Sequence, residues 1–345
     1  MSGAGYRTFQ SGEVLTSTNV QTYLMDQAVQ VYSGTAARSS AVPSPSTGMV
    51  AYSTATGLQV FNGSAWTSVG GASYGVFTGG NSTATGVSIG GSTYTVLTFT
   101  SDSNLVCTTA GLFDVCLIGG GGAGGLSITG SGSNGAGGGG GGGVIGVNST
   151  TTLFMTAGTA AVDVGAGAAA VRTYSSTAGA ESKIGTFISV PGGGNGGGST
   201  GASSQSLGFS GASGGGGNQN GVGGKTCFAT GGNNGGTSTS TDGGGGGGGA
   251  SSAGGNSAAT NVGGAGGNGI DISTFTGGAT YYAGAGAGGG GQTGGAAGNG
   301  GVAGFGGSGA GTNGVNYGAA GSGGRGDFVS GNGAAGAVFI RFKTS

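Results

Sequence analysis

A chain of 345 residues with 99 glycines, three prolines and no histidine cannot be collagen, which needs a strict three-residue glycine period and abundant proline. The missing histidine rules out a Ser-His-Asp site and weighs against zinc. Eight basic and nine acidic residues, net −1, leave no electrostatic footprint for nucleic acid, and no apolar run approaches the ~18 residues of a membrane span.

Sixteen glycines lie in residues 1–116 and the other 83 in 117–345, so the material of the chain changes near Leu117. The divisions expected are a small α+β region at 1–75, connecting strands and the start of a β clamp at 76–116, and a glycine-rich module at 117–345 closed by a strand at 337–343. No basic, then apolar leader opens the sequence, so no signal peptide is expected. TSTNVQTYLMDQ (16–27) reads as a short helix with Thr18 as N-cap and Val20, Tyr23, Leu24 and Gln27 on one face. VQVYS reads as a strand and TAARSSAV as a second short helix. MVAYS, GLQVF and SAWTSV then form a meander, with Asn62-Gly63 as a two-residue type I′ turn. The miniature core expected here comprises Tyr23, Leu24, Val50, Tyr52, Phe61 and Trp66, the only tryptophan. A motif this small needs a partner surface.

YTVLTFT is a strand from Tyr94, and LFDVCLI alternates with Phe113, Val115 and Leu117 on one face. TTTLFMTAGTAAVDV reads as two strands around the turn at Ala157–Thr159. The last apolar segment, 337–343, alternates Val338, Ile340 and Phe342 with Phe339 and Arg341. First and last strands more than 200 residues apart are expected to pair and clamp the glycine tracts between them. Ordered glycine loses more backbone freedom than any other residue and buries no side chain. Main-chain hydrogen bonds between close-packed extended helices of the polyproline II type must therefore hold it. The fold class is thus mostly β with irregular structure, few helices and packed polyglycine II-like tracts.

Little chemistry is present. Asp102 and Asp114 read as solvated carboxylates, and Cys107, Cys116 and Cys227 make no disulfide framework; the first two read as buried thiols. GGKT (223–226) imitates the end of a phosphate-binding loop, but Gln219 stands where its first glycine should be. Arg325-Gly326-Asp327 and the sequons at Asn62, Asn81 and Asn148 are what chance supplies in such a composition. Phe228, Tyr281, Tyr282, Phe305, Tyr317 and Phe328 interrupt glycine; they could stack on a surface sugar at loop tips or plug gaps between tracts.

VCLIGGGGAGG, TLFMTAGTAAVDVGAG and GAVFIRF, in that order across 94–345, resemble a glycine-rich module of phage tail and fibre proteins. GEVLT, YLMDQ, GMVAY and NGSAW near the start are similar to the N-terminal region of phage tail-associated structural proteins. The resemblance implies a hairpin at 152–167, glycine helix bundles, and receptor contact by loops at a tip. It implies a tail fibre or adhesin of the virion, with residues 1–75 as its attachment region. The expected partners are other virion proteins, a host surface glycan or protein, and further copies of the chain, a trimer being favoured. No nucleic acid, membrane insertion, metal, cofactor or catalytic residue is expected. The alternatives are a passive head, collar or tail spacer, and a cellular glycine-rich or ice-binding protein.

Overall fold

The structure, a computed structural model, describes residues 11–14, 16–20, 29–69, 73–127, 134–147, 150–170, 178–198, 207–240, 242–257, 259–278, 280, 282–304, 306, 309–326 and 328–344. It divides into two compact units, Met1–Ser73 and Tyr74–Ser345. The strands at 76–116, expected as connecting strands and the start of the β clamp, lie in the second unit's two main sheets.

The first unit contains α1 (Ser17–Val20), β1 (Gln30–Tyr32), α2 (Thr35–Ala41), β2 (Val50–Ser53), β3 (Gly57–Phe61) and β4 (Trp66–Ser68). The rest of the helix expected over 16–27, with Tyr23 and Leu24, lies outside the described residues. The four strands form one sheet in chain order, β1 parallel to β2 and the others antiparallel. Its turn departs from the two-residue form expected. Phe61 pairs with Trp66, so four residues make the loop. The Asn62 carboxamide oxygen accepts the N–H groups of Ser64 and Ala65, at 3.0 and 2.8 Å, and an Asx turn replaces the tight hairpin.

One face of this sheet is covered. Ala51, Ser53 and Gln59 are buried there, and buried Arg38 from α2 bonds the Gln59 carboxamide and stacks 4.6 Å from the Trp66 ring. Phe61 adjoins Trp66 at 5.6 Å. Tyr52 departs from its expected core position. Strand alternation turns it, at 42% exposure, to the opposite face, while Val50 on that face is half-buried.

The second unit is a β-sandwich from which the glycine tracts extend. Its strands are β5 (Val76–Gly79), β6 (Ser82–Ile89), β7 (Ser92–Phe99), β8 (Ser103–Thr109), β9 (Gly111–Ile118), β10 (Val144–Ile145), β11 (Thr151–Met155), β12 (Gly158–Asp163), β13 (Ser182–Ile184) and β14 (Ile188–Val190). Next come β15 (Ile270–Asp271), α3 (Ser273–Thr276), β16 (Tyr282–Ala283) and β17 (Ala337–Lys343). One sheet runs β10-β9-β17-β7-β6 with β11 also on β9, the other β14-β13-β12-β8-β5. Between them lie Leu97, Phe99, Phe113, Val115, Leu117, Val338, Ile340 and Phe342, facing Phe77, Leu105, Val162, Ile184 and Val190. The back of β9 and β17 is buried too: Cys116, Ile118 and Phe339 pack against Ile270, Ile272 and Phe275. Burial on both faces explains why these two strands read as nearly unbroken apolar runs.

The expected pairing of distant ends is present, since Cys116 lies opposite Phe339 and Val115 opposite Ile340. The expected hairpin is not. β11 pairs with β9 and β12 with β8, so the turn at Ala157 carries the chain from one sheet to the other.

From Ile118 the first glycine tract leaves the sandwich. Gly119, Gly122 and Gly125 donate backbone bonds of 3.0, 2.9 and 2.8 Å to the carbonyls of Gly143, Gly140 and Gly137. Gly121 and Gly124 turn instead to Ala334 and Gly331, and Gly120 to Ala180. Residues three apart thus meet the same neighbour and adjacent residues different ones, as in laterally bonded helices with three residues per turn. Polarity is mixed: Gly138 and Gly141 bond Gly245 and Gly248 in the parallel sense. Backbone approach is the reason for glycine. A methyl carbon at Gly122 would lie 2.1 Å from the Gly194 carbonyl oxygen. Where a side chain appears it serves the lattice, as when the buried Asn195 amide oxygen accepts the Ala123 N–H at 2.9 Å.

Candidate functional site

The end of the bundle remote from the sandwich is defined by where the tracts reverse. Gly125 bonds Gly137, so the chain turns between them. Isolated bridges join Gly135 to Arg325, Gly309 to Arg325, Val262 to Ala259 and Thr293, and Gly291 to Gly306. The Asp242 carbonyl lies beside Gly135, and the Asn220 N–H bonds the Ser240 carbonyl at 3.3 Å. These turns together make up the far end.

Their chemistry differs from that of the tracts. Gln219, Asn220 and Asn261 are the non-glycine residues with positive φ among those described, at 47°, 61° and 68°. This left-handed region is unfavourable for most side chains and best tolerated by Asn. Asn220, Thr260, Gln292 and Thr293 are exposed there, so the surface offers carboxamides and hydroxyls, which donate and accept hydrogen bonds. Of these residues the sequence pattern marked only Gln219, and for a different reason. The signal was the run Asn218-Gln219-Asn220 interrupting glycine, obscured by the weight given to aromatics.

The aromatic candidates separate. Phe328 is 45% exposed beside the Arg325 turn. Tyr317 meets Phe339 edge-on at 5.7 Å, and Phe228 packs against the sandwich core. Tyr282 is half-buried in β16 opposite Asp271. These three act as packing at the sandwich end, where a ring fills space that glycine leaves. Tyr281 and Phe305 lie outside the described residues.

The remaining motifs are absorbed by structure. Gly224 accepts from Gly235 and donates to Gly215 within the lattice, and the Thr226 hydroxyl donates to the Ala212 carbonyl at 2.6 Å, so GGKT is bundle. Arg325 is buried, which withdraws its side chain from any tripeptide display; Asp327 lies outside the described residues. Asn81 ties Thr100 and Ser101 through its side chain, and Asn148 lies outside the described residues. Asp102 accepts the Val164 N–H.

Asp114 is not the solvated carboxylate expected. It is 1% exposed, bonded to the Arg341 guanidinium at 3.1 Å and to the hydroxyls of Thr152 and Tyr74 at 2.7 and 3.2 Å. Arg341 also donates to the Phe275 carbonyl and stacks on the Phe275 and Tyr94 rings at 4.3 and 4.9 Å. Burial, reinforced by the Asp114 charge, pushes the Tyr74 hydroxyl up to about 12. These bonds tie β9, β11, β17 and α3 together.

A family model described as a glycine-rich domain matches residues 98–343. The chain belongs to the glycine-rich domain family. A search of curated proteins returned no match. The glycine-rich domain extends here beyond that match, because β5, β6 and the start of β7 complete the sandwich upstream of residue 98. Among its described residues no group of three Cys, Asp or Glu side chains is placed to hold a metal ion.

Proposed function

We propose that this protein is a structural component of a phage virion, a tail fibre or adhesin that binds the host surface without catalysis. The observation that carries the reading is the far end of the bundle. A lattice fixed by its own backbone presents amide and hydroxyl groups on its turns, among them exposed Asn220, held in the left-handed region that a well-determined surround maintains. Such groups suit the hydroxyl-rich surface of a host glycan. Many copies would add weak contacts into stable adhesion. The resemblance of the N-terminal segments GEVLT and NGSAW to those of tail-associated proteins supports giving attachment to the particle to residues 1–75.

The test is competition. Purified full-length protein is expected to reduce phage adsorption to host cells, and immunogold is expected to label the tail or its fibres. Label confined to the head would reject the tail assignment. A second reading, passive spacer on the particle, draws on the packing of Phe228, Tyr282 and Tyr317 at the sandwich end, the alternative to sugar stacking. Tail labelling with no binding of the full chain to host cells would select it.

A further inference from the structure

From the sheet of the N-terminal unit we infer a two-fold contact with a second copy of this chain, made through the sheet face that α2 does not cover. Strand register assembles that face. Val31 lies opposite Tyr52, Tyr52 opposite Leu58, and the Val69 N–H bonds the Leu58 carbonyl at 2.7 Å. Residues in register point to the same side, so Val31, Tyr52 and Leu58, with Val69 just past the end of β4, form one row across the sheet. They are 69%, 42%, 37% and 45% exposed. Val50 and Val60, registered on each other, continue the apolar surface behind Tyr52 and Leu58. An uncovered apolar sheet face marks an interaction site.

The occupant follows from charge and from symmetry. Arg38 is the only charged residue between 29 and 69, and it is buried on the opposite face against Gln59 and Trp66. A charged partner would lose hydration against this face and gain no counter-charge. A copy of the face brings no charge. The row also reads nearly alike from either end: valine, Tyr52, Leu58, valine. A two-fold axis between Tyr52 and Leu58, parallel to the strands, sets Val31 over the second copy's Val69 and Tyr52 over its Leu58. The same surface thus serves both partners, as an isologous contact requires. Two faces stacked this way reproduce the aligned packing of a β-sandwich, with sheets ~10 Å apart.

Size sets the strength. Four strands at ~4.8 Å spacing, three to five residues long, give a plan area on the order of 250 Å² per copy. A standard interface takes ~800 Å² per partner. The pairing is therefore weak and concentration-dependent, and it is two-fold where the sequence favoured three. It holds whether or not the far end of the bundle binds a host.

Sedimentation velocity of the full-length protein from about 1 to about 200 µM tests this, a range that brackets micromolar association. A monomer–dimer equilibrium is expected. Leu58→Lys and Val31→Lys should each weaken it by about tenfold or more, while Phe154→Lys, an exposed residue of the second unit, should leave it unchanged. Trp66 is the sole tryptophan and packs under Arg38, so its unshifted emission confirms that each variant keeps this unit folded. Monomer throughout the range, a three-copy species, or a dimer indifferent to Leu58 and Val31 would each overturn the inference.

Discussion

At Gly141 an added methyl carbon would lie 1.9 Å from the Gly284 carbonyl oxygen, well inside contact distance. The hydrogen that occupies this position points at that oxygen, a weak Cα–H···O contact repeated from tract to tract. Gly141→Ala must push two backbones apart where both are fixed by hydrogen bonds, and is expected to cost about 3 kcal/mol. Gly278→Ala, where the nearest atom would be the Thr276 hydroxyl at 3.6 Å, is the control and should stay within about 0.5 kcal/mol. Denaturant unfolding followed by circular dichroism compares the two, and equal losses would refute backbone approach as the reason for glycine. The thiols differ by burial in a similar way. Burial pushes the Cys116 thiol up to about 12 and raises Cys107, whereas Cys227 is exposed. Since the thiolate is the reactive form, one thiol per folded chain should react with a disulfide reagent at neutral pH, and all three after unfolding. Cys227→Ser should abolish the reaction of the folded protein.

Between elements, the Asp114–Arg341 pair decides how β9 and β17 meet. Asp114→Asn would leave Arg341 as a buried, uncompensated charge, and about 3–5 kcal/mol of stability should be lost. Tyr74 adds a pH dependence. Its hydroxyl is raised in the folded state to about 12, first by burial and then by Asp114. Below about pH 10 both folded and unfolded tyrosine are protonated and the contribution is complete. As the pH rises from about 10 toward about 12 the unfolded chain ionises first, so stability falls over that window. Tyr74→Phe should flatten the fall, and urea midpoints across the window would show it. These elements also mark what could be read in the sequence. LFDVCLI and AVFIRF were legible because burial on both faces writes a continuous apolar run, and their pairing followed from being the outermost strands of the glycine region. The destination of β12 was not legible, because TAGTAAVDV specifies a turn and a strand but not which sheet receives it. Asp114 misled for a related reason: its partner lies 227 residues away, and no local pattern announces that distance. Among the tracts, lateral partners were invisible altogether, since Gly122 and Gly125 are chemically identical and only position tells them apart. The far-end turns at Gln219–Asn220 and Asn261 were hidden for the opposite reason, each being a polar residue among many.

For the whole molecule, closure is the governing fact. The chain enters the bundle from β9 and returns to β9's own neighbour, β17, only at residue 337. Beside the bonds to Gly137–Gly143, the first tract makes lateral bonds that span long loops, from Gly120 to Ala180, from Gly121 to Ala334 and from Gly124 to Gly331. Loop-closure entropy must be met before such contacts form, so folding of this unit should be slow. The same topology makes the bundle hostage to its last strand. β17 sits between β7 and β9, contributes Val338, Ile340 and Phe342 to the sandwich core, and holds the end of the tract that bonds Gly121 and Gly124. Ending the chain after Gly336 removes no glycine from the lattice, yet it opens the sheet from which the first tract emerges. Amide exchange read by mass spectrometry separates this account from one in which the tracts hold themselves together locally. In the intact chain Gly119–Gly125 should be protected far beyond an unstructured peptide, because these glycine N–H groups are bonded and buried. In the shortened chain that protection should collapse together with that of β9, more than 200 residues upstream of the cut. Protection of the tract that survived loss of β17 would show a lattice stable on its own, and fast exchange in the intact chain would remove the rigid scaffold on which the adhesive reading stands.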